Sequence, residues 1–265
     1  MSITGICAAT AVVGVVGIFV GLFLGAAGIK FKVEVDEREE AVLGALPGNN
    51  CGGCGYAGCS GLAAAIVKGE ADVNACPVGG EPVGKKIASI MGVEAGNVER
   101  KTAYIACQGS CEKAKSDYDY SGAEDCRIMS FVPGGGPKSC KSGCLGFGTC
   151  AKVCPFNAIR VENGVAVVDR DACKACGKCV EVCPKHLISL IPYHSKLAVA
   201  CSSADKGPVT MKACETGCIG CGICVKACPA QAVSVTDFHA VIDQEKCTGC
   251  GTCAEKCPKK AIATL

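Results

Sequence analysis

The segment Cys247-Thr248-Gly249-Cys250-Gly251-Thr252-Cys253-Ala254-Glu255-Lys256-Cys257-Pro258 decides how this chain is read. Its C-x2-C-x2-C-x3-C-P spacing is that of thiolates wrapped around an iron–sulfur cube: three close round one cluster, and the fourth turns away to ligate another. A copy stands 74 residues earlier, from Cys173 to Pro184. The same shift carries Cys140, Cys144, Cys150 and Cys154 onto Cys214, Cys218, Cys224 and Cys228, Pro155 onto Pro229, and Val168-Asp169 onto Ile242-Asp243. Eight coincident cysteines mark an internal duplication.

Inside each copy a cysteine group ending in Cys-Pro is followed by a short apolar run, such as Ala158-Ile159-Arg160-Val161, then a turn and a second strand-like run. Such runs suit short strands packed over clusters. Each unit resembles a bacterial two-cluster ferredoxin. By its ligand crossing, Cys247, Cys250 and Cys253 share a [4Fe-4S] cluster with Cys228, Cys218, Cys221 and Cys224 share one with Cys257, and Cys173, Cys176 and Cys179 share one with Cys154. Tetrahedral zinc also uses C-x2-C pairs, but it needs neither a third cysteine at the same spacing nor four Cys-Pro endings.

One group departs from the pattern. Phe147 occupies the position of Cys221, so the cluster expected on Cys144, Cys150 and Cys183 lacks a ligand. Cys140 is the expected replacement, and a three-iron cluster on the remaining cysteines is the alternative. Cys214, the counterpart of Cys140, stands beside a complete motif, so a cysteine at this position need not be a ligand.

The whole composition agrees with metal-stapled domains. The chain of 265 residues has 26 cysteines, 35 glycines, no tryptophan and only 5 tyrosines and 7 phenylalanines. Grouped cysteines of this kind belong in a reducing compartment. The net charge of +2 gives no argument for nucleic acid as a partner. Residues 140–265 carry 15 Lys and Arg against 10 Asp and Glu, while residues 30–139 carry 12 against 15. Each oxidised cubane with its four thiolates adds about −2, which makes the loaded protein acidic.

No charged residue occurs from Ile3 to Ile29. A helix over this stretch is about 40 Å long, enough to cross a bilayer. The absence of a basic residue before it, and its length, favour a retained anchor over a cleaved signal. Lys30, Lys32 and Arg38 follow it, and the positive-inside rule then puts the bulk of the chain in the cytoplasm. Cys7 reads as a small apolar filler of this helix.

Between anchor and duplication lies Leu46-Pro47-Gly48-Asn49-Asn50-Cys51-Gly52-Gly53-Cys54-Gly55-Tyr56-Ala57-Gly58-Cys59, with Cys76-Pro77 farther on. The spacing C-x2-C-x4-C-x16-C-P describes a separate single-cluster site on Cys51, Cys54, Cys59 and Cys76. An alanine-rich helix over 61–68 would point its positive N-terminal end at that site. Together with the anchor, the acidic Val35 to Glu40 stretch and the ferredoxin motifs, this segment makes the chain similar to the B-type subunit of the Rnf ion-translocating ferredoxin:NAD oxidoreductase complex. The resemblance covers essentially the whole chain and implies membership of a translocase-class complex. It further implies that electrons come from reduced soluble ferredoxin and pass to membrane and peripheral Rnf subunits, while the whole complex moves Na+ or H+. Shorter family members carry one two-cluster unit, and this chain carries two.

The expected architecture is α+β: a transmembrane anchor at 1–30, a single-cluster module at 31–90, a connecting segment at 91–135, and ferredoxin-like units at 136–192 and 193–265. Five cubanes are expected. Cys107, Cys111, Cys126, Cys201 and Cys214 are left over, as ligands of a sixth cluster or as buried thiols. His186, His194 and His239 show no ligand pairing. No nucleotide-binding glycine loop and no Ser/His/Asp constellation occurs, so NAD chemistry is expected on another subunit. A relay subunit of another membrane redox enzyme, such as a hydrogenase, and a metal-storage protein are the rival readings. Lys174, Lys178 and Lys185 in the first unit, and Lys246, Lys256, Lys259 and Lys260 in the second, offer an acidic donor a landing face. The second unit is the favoured docking site, with electrons running towards the Cys51 to Cys76 module.

Overall fold

The computed structural model describes residues 3–30, 36–97 and 99–265, with the side chains of residues 3–10 and 29 outside that description. The first element, α1 (Ile3–Lys30), is 28 residues long, about 42 Å at 1.5 Å per residue. It exceeds the thickness of a hydrocarbon core. Its apolar stretch from Ala11 to Gly28 buries nothing against the rest of the chain, as expected of a surface meant for lipid. The Cys7 side chain and all of Lys32 fall outside the described residues.

A helical module follows: α2 (Glu37–Ala45), α3 (Cys59–Val67) and α4 (Gly80–Met91). Asp36 caps α2 by accepting from the Arg38 N–H at 2.9 Å, and Glu37, Glu39 and Glu40 in the first turn suit the helix dipole. Val42, Leu46, Leu62, Ile66 and Ile87 meet in the module's core. Burying each such side chain contributes about 1.5–3 kcal/mol. The expected alanine-rich helix is α3, which begins on the ligand candidate Cys59 itself.

The first half of the duplication runs β1 (Lys101–Ile105), two 3-10 turns (Cys126–Phe131 and Pro133–Gly135), α5 (Thr149–Lys152), β2 (Ile159–Glu162), β3 (Val165–Val168), α6 (Lys178–Val182) and β4 (Ile188–Pro192). The second runs β5 (Leu197–Val199), α7 (Gly207–Ala213), α8 (Ile223–Ala227), β6 (Val233–Thr236), β7 (His239–Ile242), α9 (Thr252–Glu255) and β8 (Ile262–Thr264). In both, the middle strands form a hairpin, β2 with β3 and β6 with β7. The outer strands pair antiparallel, β1 with β4 and β5 with β8.

The pairing of β1 alters the expected organisation. Residues 91–135 do more than connect: they supply the strand that closes the first unit, with Ile105 opposite Ile188 and Thr102 and Ala103 buried. Arg100 fastens its start by donating to the carbonyls of Arg170 and Asp171, with its guanidinium 3.8 Å from the centre of the Tyr193 ring. Each unit then has its own core, in which small aliphatic residues alternate with cysteines. A core so poor in large side chains matches the absence of tryptophan.

Candidate iron–sulfur sites

Short cysteine-bearing loops precede α5, α6, α8 and α9, and each of these helices starts after a glycine in the left-handed region. Only glycine takes that backbone without strain, and it turns the chain sharply so that successive thiols face inward. Asp169 and Asp243 fix the approach to two of the loops. Asp169 Oδ1 accepts from the N–H groups of Asp171 and Ala172, and Asp243 Oδ1 accepts from Glu245 and Lys246.

Four cavities are each lined by four cysteines. Cys154, Cys173, Cys176 and Cys179 line one, and Cys218, Cys221, Cys224 and Cys257 line another, the sets expected from the ligand crossing. In the second unit Cys253 lies beside Cys228 and Cys247, while Cys250 is exposed at the surface. In the module Cys76 lies close to Cys54 and Cys59, and Cys51 is near enough to Cys176 of the first unit for its charge to raise that thiol.

The remaining two cavities redistribute the leftover cysteines. Cys126 joins Cys144, Cys150 and Cys183 in one wall. Cys140 is not there: it lines the other cavity, with Cys107, Cys201 and Cys214. The expected substitution of Cys140 for the thiol missing at Phe147 is therefore not what the structure brings together. The physical reason is the loop 117–135, folded over α5. Tyr120 packs on Phe147 with ring centroids 5.6 Å apart, Lys152 Nζ donates to the Glu124 carbonyl at 3.0 Å, and Thr149 Oγ1 donates to Asp125 at 3.0 Å. Cys126 is carried in with it. Cys111 is exposed and lines none of these cavities.

The donor set suits cubane clusters. Backbone N–H groups donate to Cys76, Cys173, Cys183, Cys228, Cys218 and Cys257 sulfurs at 3.3–3.5 Å, bonds that stabilise thiolates and tune a cluster. Burial pushes the thiol of Cys150 up to about 11, with Cys144, Cys126 and Cys183 adding to it. It pushes Cys179 up to about 12, with Cys173 and Cys176 adding to it. Crowded, buried thiols resist ionisation until metal charge offsets them, so ligation and folding are coupled.

Comparison with known proteins places these sites in a family. Residues 46–78 match the family described as "Putative Fe-S cluster", and residues 137–184 and 217–262 each match a 4Fe-4S dicluster domain. The B-type subunit of the ion-translocating oxidoreductase complex of Methanosarcina acetivorans is 44% identical over 237 residues, 89% of either protein. The chain belongs to the family of B-type subunits of these complexes. The corresponding subunit of the proton-translocating ferredoxin:NAD(+) oxidoreductase complex of Clostridium ljungdahlii is 42% identical over 78% of this chain and 73% of its own length. The Na(+)-translocating counterpart of Acetobacterium woodii is 45% identical over 77% of this chain, which spans 62% of that relative's length. A protein of this family is an electron carrier, and the reading as a relay of an unrelated redox enzyme is not favoured.

Proposed function

We propose that the chain relays electrons from reduced soluble ferredoxin, through a row of [4Fe-4S] clusters, to membrane and NAD-reducing subunits of an ion-translocating complex. Cys51, Cys54, Cys59 and Cys76 hold the module's cluster. Two tandem two-cluster units follow: Cys154, Cys173, Cys176 and Cys179 with Cys126, Cys144, Cys150 and Cys183, then Cys218, Cys221, Cys224 and Cys257 with Cys228, Cys247, Cys250 and Cys253. With Cys126 at hand, a three-iron cluster is not needed to explain Phe147. Each cluster supplies one-electron chemistry at a potential set by hydrogen bonds to sulfur and by exposure.

The observation that carries this reading is that the thiol sets succeed one another along the chain's fold. The module's loop lies directly on the first unit: a Cβ on Gly53 would stand 2.6 Å from the Cys176 carbonyl oxygen. Within that unit Cys150 is among the thiols that raise Cys179, which links its two sets. Exposure is uneven. Cys176 is half-buried under the module, whereas its counterpart Cys250 is open to solvent. The open end favours electron entry at the second unit, beside Lys246, Lys256, Lys259 and Lys260, and delivery towards the module. In this arrangement α1 is the membrane anchor and Lys30 and Arg38 keep the cluster-bearing part in the cytoplasm.

Stopped-flow mixing of the anaerobic full-length protein with reduced ferredoxin tests the proposal. Rapid bleaching of the visible absorption is expected. Bleaching by dithionite but not by ferredoxin would remove ferredoxin as the donor, and a colourless protein would remove the clusters.

A further inference from the structure

The cavity lined by Cys107, Cys140, Cys201 and Cys214 draws on both units, and of the four cysteines only Cys140 falls inside a matched dicluster segment. We infer that these four cysteines hold a sixth [4Fe-4S] cluster, shared by the two units, which joins their electron paths into one. The inference rests on the cluster reading of the other sites and adds to it a site that no motif describes.

The four residues come from equivalent positions of the duplication. Cys140 and Cys214 are related by the 74-residue shift. Cys107 and Cys201 are related by structure: each follows the unit's first strand by one alanine. Ala106 donates to the Leu187 carbonyl and Ala200 to the Ala261 carbonyl, both at 2.8 Å, and Leu187 and Ala261 again stand 74 apart. The equivalence is hidden in sequence because 32 residues separate Cys107 from Cys140, but only 12 separate Cys201 from Cys214. The extra 20 residues include the loop that carries Cys126. Two matched pairs thus meet across the interface, which Ala114 and Cys214 also bridge by backbone pairing.

The surroundings are those of an anionic group. Cys107 Sγ accepts from the N–H groups of Gly109 at 3.4 Å and Cys144 at 3.3 Å, and Cys214 Sγ lies 3.6 Å from the Thr216 hydroxyl. Lys138 lines the same cavity and is 7% exposed. Its ammonium donates to the carbonyls of Gly109 and Gly164 at 2.7 and 2.8 Å. Among the described residues no carboxylate pairs with it. An interior cation without a counter-charge is costly, and a cubane with four thiolates supplies about two negative charges.

The position is also the one a relay needs. Cys107 touches the backbone of Cys144, a wall of the first unit's site, and Cys201 lies against Cys218 of the second. A single electron passes from the second unit's cluster to the shared one and on to the first unit's, with no bond made or broken. Tunnelling falls steeply with distance, so an intermediate station sets the rate between units. The assignment also uses every cysteine after α1 except the exposed Cys111.

Iron analysis of the anaerobic full-length protein tests the site. The wild type should hold about 24 irons, against about 20 for five clusters. Cys107→Ala, Cys140→Ala, Cys201→Ala and Cys214→Ala should each lose about four irons, while Cys111→Ala loses none. Electron exchange between the units, followed by rapid-freeze EPR after reduction at the second, should slow at least tenfold in the four variants. A wild type with about 20 irons and no zinc, or one zinc beside 20 irons, would overturn the sixth cluster; these counts need no variant to fold. A protein without iron would instead overturn the underlying cluster reading.

Discussion

The backbone N–H of Cys126 donates to the Thr149 hydroxyl at 2.9 Å, joining residues 23 apart in the chain. That hydroxyl donates onward to Asp125, whose carboxylate also accepts from the Arg127 N–H at 2.9 Å and so starts the 3-10 turn. Phe147, at the position of Cys221 in the other unit, gives no thiol but clamps Tyr120 of the same loop. The site that lacks a cysteine at Phe147 thereby holds in place the segment that brings Cys126 to its wall.

Cys126→Ala should remove one cluster, about four irons, or leave a three-iron form with its own EPR signal. The double variant Cys126→Ala with Phe147→Cys should regain the lost iron, because it restores the regular motif. Full iron content in Cys126→Ala would refute the role given to this thiol, and failure of the double variant alone would show that Phe147 is needed to hold the loop.

How far these sites are legible in the sequence depends on whether spacing or folding determines them. Three thiols in a C-x2-C-x2-C loop are brought close by local bond geometry, so Cys218, Cys221 and Cys224, or Cys173, Cys176 and Cys179, share a cavity wall as their spacing predicts, and the repeat exposes the gap at Phe147. Cys126 comes from an insertion with no counterpart in the second unit, and only its packing through Tyr120 and Thr149 brings it to Cys150. The outer strand β1 escapes such reading for a similar reason: Lys101–Ile105 finds its partner β4 about ninety residues on, a non-local pairing that no short pattern announces. One clue is present, the Ile105-Ala106-Cys107 and Val199-Ala200-Cys201 triplets, each an apolar strand end followed by alanine and cysteine.

Gly58→Ala should loosen the module selectively. Gly58 has φ +96, and an added Cβ would stand 2.8 Å from Asn50 Oδ1. That oxygen accepts from the Cys59 N–H at 2.8 Å and so fixes the start of α3 and the Cys51 to Cys59 loop. A destabilisation of more than about 1 kcal/mol is expected from an alanine forced into this backbone. Thermal unfolding should show an earlier transition for the module, with faster loss of its cluster to a chelator. An unchanged melting profile would mean the loop is not strained by a side chain there.

Stripping iron should unfold the two ferredoxin-like units before the module. Their cores count Cys144, Cys150, Cys173 and Cys179, or Cys218, Cys224 and Cys253, among the buried residues, and their helices are only four to seven residues long. The module keeps Val42, Leu62, Ile66 and Ile87 packed between three helices. Chelation under anaerobic conditions, followed by hydrogen exchange, should leave protection in α2, α3 and α4 and abolish it in β1 to β8. Protected strands in the iron-free chain would show that the thiol cores stand without metal.

Electron uptake should depend on the lysines at the exposed end of the second unit. Lys259 lines the same cavity as Cys257, Lys256 and Lys260 flank it, and Cys250 is open nearby in sequence. Lys246 is partly engaged by Asp243 at 3.1 Å, whereas among the described residues no carboxylate pairs with Lys256, Lys259 or Lys260. Attraction of an acidic donor to such charges acts mainly on the encounter rate and weakens as salt shortens the Debye length, about 10 Å at 0.1 M. Replacing Lys256, Lys259 and Lys260 with glutamate should slow reduction by ferredoxin about tenfold or more at low salt and flatten or reverse its salt dependence. Iron content and reduction by dithionite should not change, because among the described residues no hydrogen bond joins any of the three side chains to a sulfur. An unaltered rate at low salt would place the donor elsewhere, and Lys174, Lys178 and Lys185 of the first unit would then be the next residues to reverse.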